Sequence, residues 1–180
     1  VRDIAGNLLG SDLNLVFAVY SPSTAHGTFV GAGYATDPTA TLGTRANPYA
    51  TIADAVSAAS FGDTVYVLPG IYAEQVMMRN QVSLVSAGVA STDTAVVRGN
   101  ALQTIIRPAY SGGAVSVYAN GITAYYDPAT GASLQTLLQG FTIASSLIGD
   151  PALGFTNENS IGLVLDNATM RVQDNYFINS

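Results

Sequence analysis

Short runs of alternating apolar and polar residues occupy most of the chain, and this period of two predicts β-strands. In one run, over residues 13–20, the apolar positions that share a face are Leu13, Leu15, Phe17 and Val19. Helical spacing occurs in one place, over residues 51–59, where the apolar positions are Ile52, Ala55, Val56 and Ala59. The pattern therefore predicts an all-β protein with one short helix.

The segment 51–59 carries its own start signal. Thr51 and Asp54 are spaced as a capping box, in which the Thr side chain accepts a hydrogen bond from the backbone of the fourth residue. Gly62 follows as the expected end of the helix. Because such a short helix is not stable alone, its apolar face is expected to cover the first, otherwise open layer of strands.

A three-strand unit recurs after residue 62 and predicts a stacked solenoid. Its strands are predicted at 63–68, 71–79 and 82–85, at 104–107, 114–118 and 122–125, and at 137–143, 161–165 and 169–172. An asparagine lies between the second and third strands of each unit, and the expected corner stack consists of Asn80, Asn120 and Asn167. A second internal match aligns Gly140 with Asn175, an offset of 35 (175 − 140).

The two ends of the chain predict contacts with other molecules. Residues 1–20 resemble the last two strands of a bacterial surface Ig-like domain, because an acidic-Ile-Ala-Gly-Asn turn precedes a strand that contains Phe-Ala-Val. Residues 21–27 are a predicted linker, and residues 28–180 are the predicted main domain. The residues expected to begin a further, uncapped layer are Tyr176, Phe177 and Ile178. We expect this layer and the strand 13–20 to be assembly strands.

The run 43–74 resembles the N-terminal signature of right-handed parallel β-helix proteins of the pectate-lyase-like superfamily. The matching motifs are Gly43-Thr44, Pro48-Tyr49-Ala50-Thr51-Ile52, Gly62-Asp63-Thr64-Val65 and Pro69-Gly70-Ile71-Tyr72-Ala73-Glu74. The resemblance implies a right-handed parallel β-helix with three strands per coil, about three coils and a capping α-helix over 51–59. This scaffold carries lyases, hydrolases, epimerases, adhesins and structural surface proteins, so it leaves the function open.

The amino-acid composition excludes several classes of function. The net charge is −6 and all six basic residues are Arg, so there is no basic stripe for a nucleic-acid backbone and no nucleic-acid partner is expected. The chain has no Cys, which excludes thiolate catalysis and Cys-ligated metals. Its apolar runs fall short of the roughly 20 residues that a membrane-spanning helix needs.

The β-helix lyases that the chain resembles use clustered Asp ligands for Ca²⁺ and a nearby basic side chain as the base. Here the Asp residues are scattered, while Arg79, Arg107 and Arg171 lie on predicted strands, where they either face a sugar acid or keep a sheet soluble. Asp166 and Asp174 are interpreted as turn residues, with a Ca²⁺ site as the alternative. We therefore predict no catalytic residue and no metal ligand, lean towards a protein that is not an enzyme, and leave Ca²⁺ open as a cofactor.

Outward tyrosines offer a second kind of site, because an aromatic ring stacks on the apolar face of a sugar. The candidate carbohydrate-binding residues are Tyr118, Tyr125, Tyr126 and Arg107, with aromatic packing between coils as the alternative. The triplet Asn167-Ala168-Thr169 also fits the N-glycosylation pattern, although a corner stack is a sufficient structural reason for this asparagine.

Taken together, these features favour a non-catalytic extracellular module of a cell surface, structural or adhesive, that assembles head to tail into a fibre or array by strand addition. Its expected partners are other copies of itself or the rest of a longer surface protein, and polysaccharide. The alternatives are the N-terminal part of a polysaccharide lyase or glycoside hydrolase, which as a lyase would act on uronate polymers, and a glycan-binding module.

Overall fold

The computed structural model describes residues 27–88, 101–108, 115–126, 133–145 and 161–179. Within these residues the secondary structure is one α-helix, one 3₁₀ turn (Ala101–Gln103) and many short strands, which confirms the all-β prediction. The first predicted assembly strand, with Leu13, Leu15, Phe17 and Val19, lies outside the described residues.

Twelve strands form three parallel sheets, named A, B and C. In spatial order, sheet A contains β1 (Gly27–Val30), β2 (Thr64–Val67), β5 (Ser83–Ser86), β10 (Leu137–Gln139) and β13 (Arg171–Gln173). Sheet B contains β3 (Gly70–Tyr72), β6 (Thr104–Ile106), β11 (Thr142–Ser145) and β14 (Tyr176–Asn179). Sheet C contains β4 (Val76–Met78), β7 (Val115–Asn120) and β12 (Ile161–Asp166). A separate antiparallel hairpin pairs β8 (Tyr125–Tyr126) with β9 (Ser133–Leu134).

The chain visits the three sheets in a constant order. Its first pass is β2, β3 and β4, its second is β5, β6 and β7, and its third is β10, β11 and β12. A fourth pass begins with β13 and β14, and the hairpin is inserted between the second and third passes. Each strand therefore pairs with the strand that the previous pass left in the same sheet, at the usual spacing of about 4.8 Å.

Alternate side chains of these strands point inward and form one apolar core, because successive residues of a strand face opposite sides. In sheet A, the strand register aligns Val65, Leu84 and Leu138, all with 0% exposure. In sheet C, Val76 aligns with Val117 in the same way. A smaller apolar cluster lies apart from this core and contains Phe29, Tyr66, Leu68 and Ala87.

Helix α1 (Ile52–Ala58) packs against this core beside β1, β2 and β4. The Oγ1 atom of Thr51 accepts a hydrogen bond from the backbone N–H of Asp54 at 3.1 Å, so the predicted capping box forms. The Asp54 carboxylate accepts from the Thr51 hydroxyl at 2.6 Å. The helix ends at the predicted residue, since Ala59 is its C-cap, but Gly62 is not the residue that caps it. Gly62 instead turns the chain towards β2 with a φ of +88°.

Two features of the predicted repeat are corrected by the strand register. The strand predicted at 137–143 is two strands, because Gly140 adopts a φ of +84° and turns the chain from sheet A to sheet B. The predicted offset of 35 is 34, since Thr142 pairs with Tyr176 (176 − 142). A slip of one residue exchanges the two faces of a strand, so Phe177, and not Ile178, lies opposite the inward Ile143.

The predicted asparagine column is shifted in one member. Asn120 pairs with Asp166 and not with Asn167. The same register places Gly121 opposite Asn167, and both have left-handed φ values, +64° and +47°. Met78 pairs with Ala119, and the left-handed residue that follows in the first pass is Gln81, with a φ of +59°, and not Asn80. A left-handed corner suits Gly and Asn alike, and pattern reading therefore chose the neighbouring asparagine.

Candidate functional site

The carboxylate of Glu74, which precedes β4, binds the first turn of α1. Its two oxygens accept hydrogen bonds from the backbone N–H groups of Ile52 and Ala53 at 2.8 and 2.9 Å. The first N–H groups of a helix have no partner within the helix, and an anion there is favoured by the helix dipole. The last residue of the Pro-Gly-x-Tyr-x-Glu motif is therefore a helix cap.

Arg79, which follows β4, binds the other end of α1. Its Nη1 atom donates to the backbone carbonyls of Val56, Ser57 and Ala59 at 3.4, 3.2 and 2.7 Å. A cation at the carboxyl end of a helix also matches its dipole. Arg79 is exposed, as expected of an outward arginine, and its guanidinium in addition caps the helix.

The tyrosine of the same motif is buried. The Tyr72 hydroxyl donates to the carbonyl of Leu68 at 2.7 Å and accepts from the N–H of Ala32 at 3.4 Å. Burial raises the pKa of the Tyr72 phenol far above its ordinary value, because the phenolate would lose its hydration. This phenol is therefore a neutral structural group that ties the first pass to the residues after β1.

A polar cluster lies on the outer side of sheet C. The Tyr118 hydroxyl donates to Oδ2 of Asp166 at 3.0 Å, and Nδ2 of Asn120 donates to the same oxygen at 3.2 Å. Nδ2 of Asn120 also donates to the Tyr118 hydroxyl at 3.1 Å. These contacts join β7 to β12 and occupy the polar tip of Tyr118.

An exposed aromatic pair lies where the hairpin meets the turn before β2. The rings of Phe61 and Tyr125 meet edge to face with their centroids 5.3 Å apart. Phe61 is 61% exposed, Tyr125 42% and Tyr126 63%. Sequence reasoning selected the two tyrosines but missed Phe61, which is 64 residues away (125 − 61) and has no local signal for this contact.

The predicted carbohydrate-binding residues do not share one sheet. Tyr118 is in sheet C, Arg107 follows a strand of sheet B, and Tyr125 and Tyr126 form β8 of the separate hairpin. The Arg107 backbone N–H donates to the carbonyl of Tyr72 at 2.9 Å, and its side chain is exposed. In the part of the chain that the structure describes, this aromatic pair is thus the place where the fold joins a predicted carbohydrate-binding residue to a further exposed ring.

The corner carboxylates considered for Ca²⁺ bind protein groups. Asp166 accepts from Tyr118 and Asn120, as above, and Oδ2 of Asp174 accepts from Nε2 of Gln139 at 2.7 Å. Beside Asp174, the Asn175 amide accepts from the N–H of Phe141 at 2.9 Å and donates to a carbonyl of β10. Among the described residues, no group of three His, Cys, Asp or Glu side chains is placed to hold a metal ion.

The first and last passes differ at their edges. β1 extends sheet A beyond β2, and its free edge is bonded by a loop: the Phe29 N–H donates to the Gly43 carbonyl, and the Tyr49 N–H donates to the Phe29 carbonyl. At the other end, β12, β13 and β14 each pair on one side only within the described residues. Exposed apolar side chains of these strands include Leu165, Tyr176, Phe177 and Ile178.

Comparisons with family models, with curated proteins and with solved structures give no match for this chain. In the part of the chain that the structure describes, no helix has both the length and the apolar character needed to cross a membrane.

Proposed function

We propose that the chain is a right-handed parallel β-helix of the pectate-lyase-like type, and that it serves as a non-catalytic structural or adhesive module on the outside of a cell. The constant order of the sheets and their parallel pairing support the β-helix. The acidic, Lys-free composition supports an exposed location that does not bind nucleic acid.

The observation that carries the proposal is that polar side chains of the signature, and Arg79 shortly after it, are bonded within the protein. Glu74 and Arg79 are bonded to the ends of α1, and the Tyr72 hydroxyl is bonded to backbone groups. A lyase needs a basic side chain beside a bound uronate, whereas the guanidinium of Arg79 is bonded to backbone carbonyls at the end of α1. We therefore assign this region to the stability of the first pass.

A direct assay separates this function from a lyase. The chain is incubated with uronate polymers and Ca²⁺, and the ultraviolet absorbance of unsaturated products is followed. We expect no product. Product formation by the natural chain that is lost in Arg107→Ala and retained in Arg171→Ala would establish a lyase and refute the proposal. Antibody labelling of intact cells of the source organism tests the location, and labelling only after lysis would contradict it.

The proposal includes assembly through the edge of the last pass. Because α1 and the loop bonded to β1 cover the first pass, two passes do not stack edge to edge without displacing them. A head-to-tail contact would instead be made by the predicted strand 13–20 of a second copy, which would add to the edge of β12, β13 or β14. Such a contact does not close on itself and builds a fibre.

Sedimentation of the 180-residue chain tests this assembly. We expect particles larger than one chain, and we expect Phe177→Glu to reduce them to single chains because it places a charge on β14, at the proposed contact. Phe61→Glu is the matched control, since Phe61 is similarly exposed but lies elsewhere. A natural chain that sediments as a monomer, or equal effects of the two variants, would contradict the assembly.

A glycan-binding module is the second candidate, and the exposed Phe61–Tyr125 pair is the observation that favours it. Aromatic rings on a surface bind the apolar faces of sugars. In this case Phe61→Ala and Tyr125→Ala abolish binding to a glycan array while Tyr118→Ala retains it. Absence of binding by the natural chain excludes this candidate.

A further inference from the structure

We propose that Asn167 is an acceptor for an N-linked glycan. Asn167-Ala168-Thr169 is the one complete Asn-x-Ser/Thr triplet of the chain. The inference rests on the proposed extracellular location, because N-linked sugars are added to exported chains. It concerns a covalent modification and is separate from glycan recognition by aromatic rings.

The amide of Asn167 is left available by the fold. The other corner asparagines have hydrogen-bond partners. Asn80 bonds to Thr123, and Asn120 bonds to Tyr118 and Asp166. Asn175 bonds to the backbone groups of Leu138 and Phe141. The Asn167 side chain, by contrast, is exposed and makes no hydrogen bond within the described residues. The corner stack that would have explained this asparagine does not form, because Asn120 lies opposite Asp166.

Asn167 and Thr169 of the triplet face solvent, whereas Ala168 between them packs against the core. Gly121 lies opposite Asn167, and a Cβ atom added there would meet nothing within 4 Å. Thr169 is exposed, as a transferase that reads its hydroxyl requires. Ala168 packs against the core, and the Thr169 N–H donates to the carbonyl of Ile122 at 2.6 Å. A glycan at this corner points into solvent and displaces no core residue.

The reaction is an oligosaccharyl transfer from a lipid-diphosphate-linked oligosaccharide. The Nδ2 atom of Asn167 forms a bond to C1 of the first sugar, and the bond from C1 to the phosphate oxygen breaks. The lipid diphosphate leaves with the electron pair, and the amide nitrogen releases one proton to a base of the transferase. No oxidation or reduction occurs, and Asn167 keeps one amide hydrogen.

The test is expression of the chain through a secretory pathway that carries an oligosaccharyltransferase, with an unstructured tag bearing a second triplet as an internal standard. Peptide mass spectrometry then measures occupancy at Asn167 and at the tag. We expect occupancy at both sites in the natural chain and in Thr169→Ser, and at the tag alone in Thr169→Ala. Asn167→Gly keeps a residue suited to the left-handed corner, and we expect it to fold and to lack the sugar.

An occupied tag with unmodified Asn167 in the natural chain overturns the proposal, as does occupancy that persists in Thr169→Ala. Because the secretory host supplies the compartment, such a failure concerns the site alone. Failure of the proposed extracellular function is seen separately, in the labelling of intact cells of the source organism.

Discussion

Among the described residues, the first and last passes are built from the same kinds of strand but differ in what covers them. At the first pass, α1 buries Ile52, Ala55 and Val56 in the core, and a loop bonds the free edge of β1. At the last pass, inward positions that align with buried residues are open: Phe177 aligns with Ile143 and is 51% exposed. The comparison teaches that parallel strands bury their inward faces only where a further layer lies over them.

The charged side chains also differ between the first and last passes in what they bind. Glu74 and Arg79 are placed against the ends of α1, so the cap is held by hydrogen bonds as well as by apolar contact. At the last pass, Asp166 and Asp174 bond sideways to the preceding pass. A helix that covers a layer of strands thus needs an apolar face and also hydrogen-bond partners for the unpaired backbone groups at its two ends.

The largest expected difference between the two ends is in the stability lost when an inward side chain is truncated to Ala. Ile52→Ala removes fully buried methyl groups of the cap and is expected to lower the free energy of unfolding by about 2–5 kcal/mol. Phe177→Ala removes a half-exposed ring, and we expect it to cost less than half as much. Urea unfolding of both variants measures the difference. Similar costs at both ends would mean that the last pass is covered in solution.

Arg79→Ala is expected to have the next largest effect. It removes three charge-assisted contacts to the carboxyl end of α1, and hydrogen bonds to charged groups contribute about 1.5–3 kcal/mol. Arg171→Ala, which removes an exposed arginine from β13, is the matched control and is expected to stay within about 0.5 kcal/mol of the natural chain. Equal losses in urea unfolding would show that Arg79 does not cap α1.

Local signals predicted the cap but not what holds it. Thr51 and Asp54 lie within one helical turn, so their capping box is readable from the sequence and forms as expected. Glu74 lies 22 residues from its partner Ile52, and no local period reports such a contact. The outer ring of Phe61 was missed for the same reason.

Alternation predicted which runs are strands but not their lateral register. A period of two distinguishes the faces within one strand, whereas register depends on the corners between strands. Gly140, inside the apolar run 137–143, is such a corner, and its left-handed backbone divides one predicted strand into two. The breaker signal was present in the sequence, but the apolar residues on both sides of it concealed the turn.

Alkaline pH is expected to weaken the first pass through Tyr72. Its pKa is raised by burial in the folded chain, so below about pH 10 the phenol is neutral in both states and does not alter stability with pH. Above that pH the unfolded chain releases the proton and the folded chain keeps it. The free energy of unfolding then falls by up to about 1.4 kcal/mol per pH unit.

The measurement is urea unfolding at a series of alkaline pH values. Tyr72→Phe is the control: it is expected to be less stable at neutral pH, because it loses the bond to Leu68, but to have a shallower decline above pH 10. A decline of the same slope in both chains would assign the effect to other tyrosines.

The smallest expected effect concerns the loop that covers β1. Hydrogen bonds from the Thr39 hydroxyl at 2.6 Å and from its backbone N–H at 2.9 Å hold the pKa of Asp37 below its ordinary value. The hydroxyl bond is the larger cause, so Thr39→Val is expected to raise the pKa of Asp37 towards that value. Because the pKa is lowered in the folded chain, these bonds stabilise the loop above the unfolded pKa, and the contribution is lost as pH falls through the folded pKa.

An NMR titration of the Asp37 carboxyl in the natural chain and in Thr39→Val provides the readout. An unchanged Asp37 pKa in Thr39→Val would show that the hydroxyl does not bond in solution. That result would mean that the Thr39 hydroxyl does not help to hold the loop. The first pass would then differ from the last pass only through α1 and the backbone hydrogen bonds of β1.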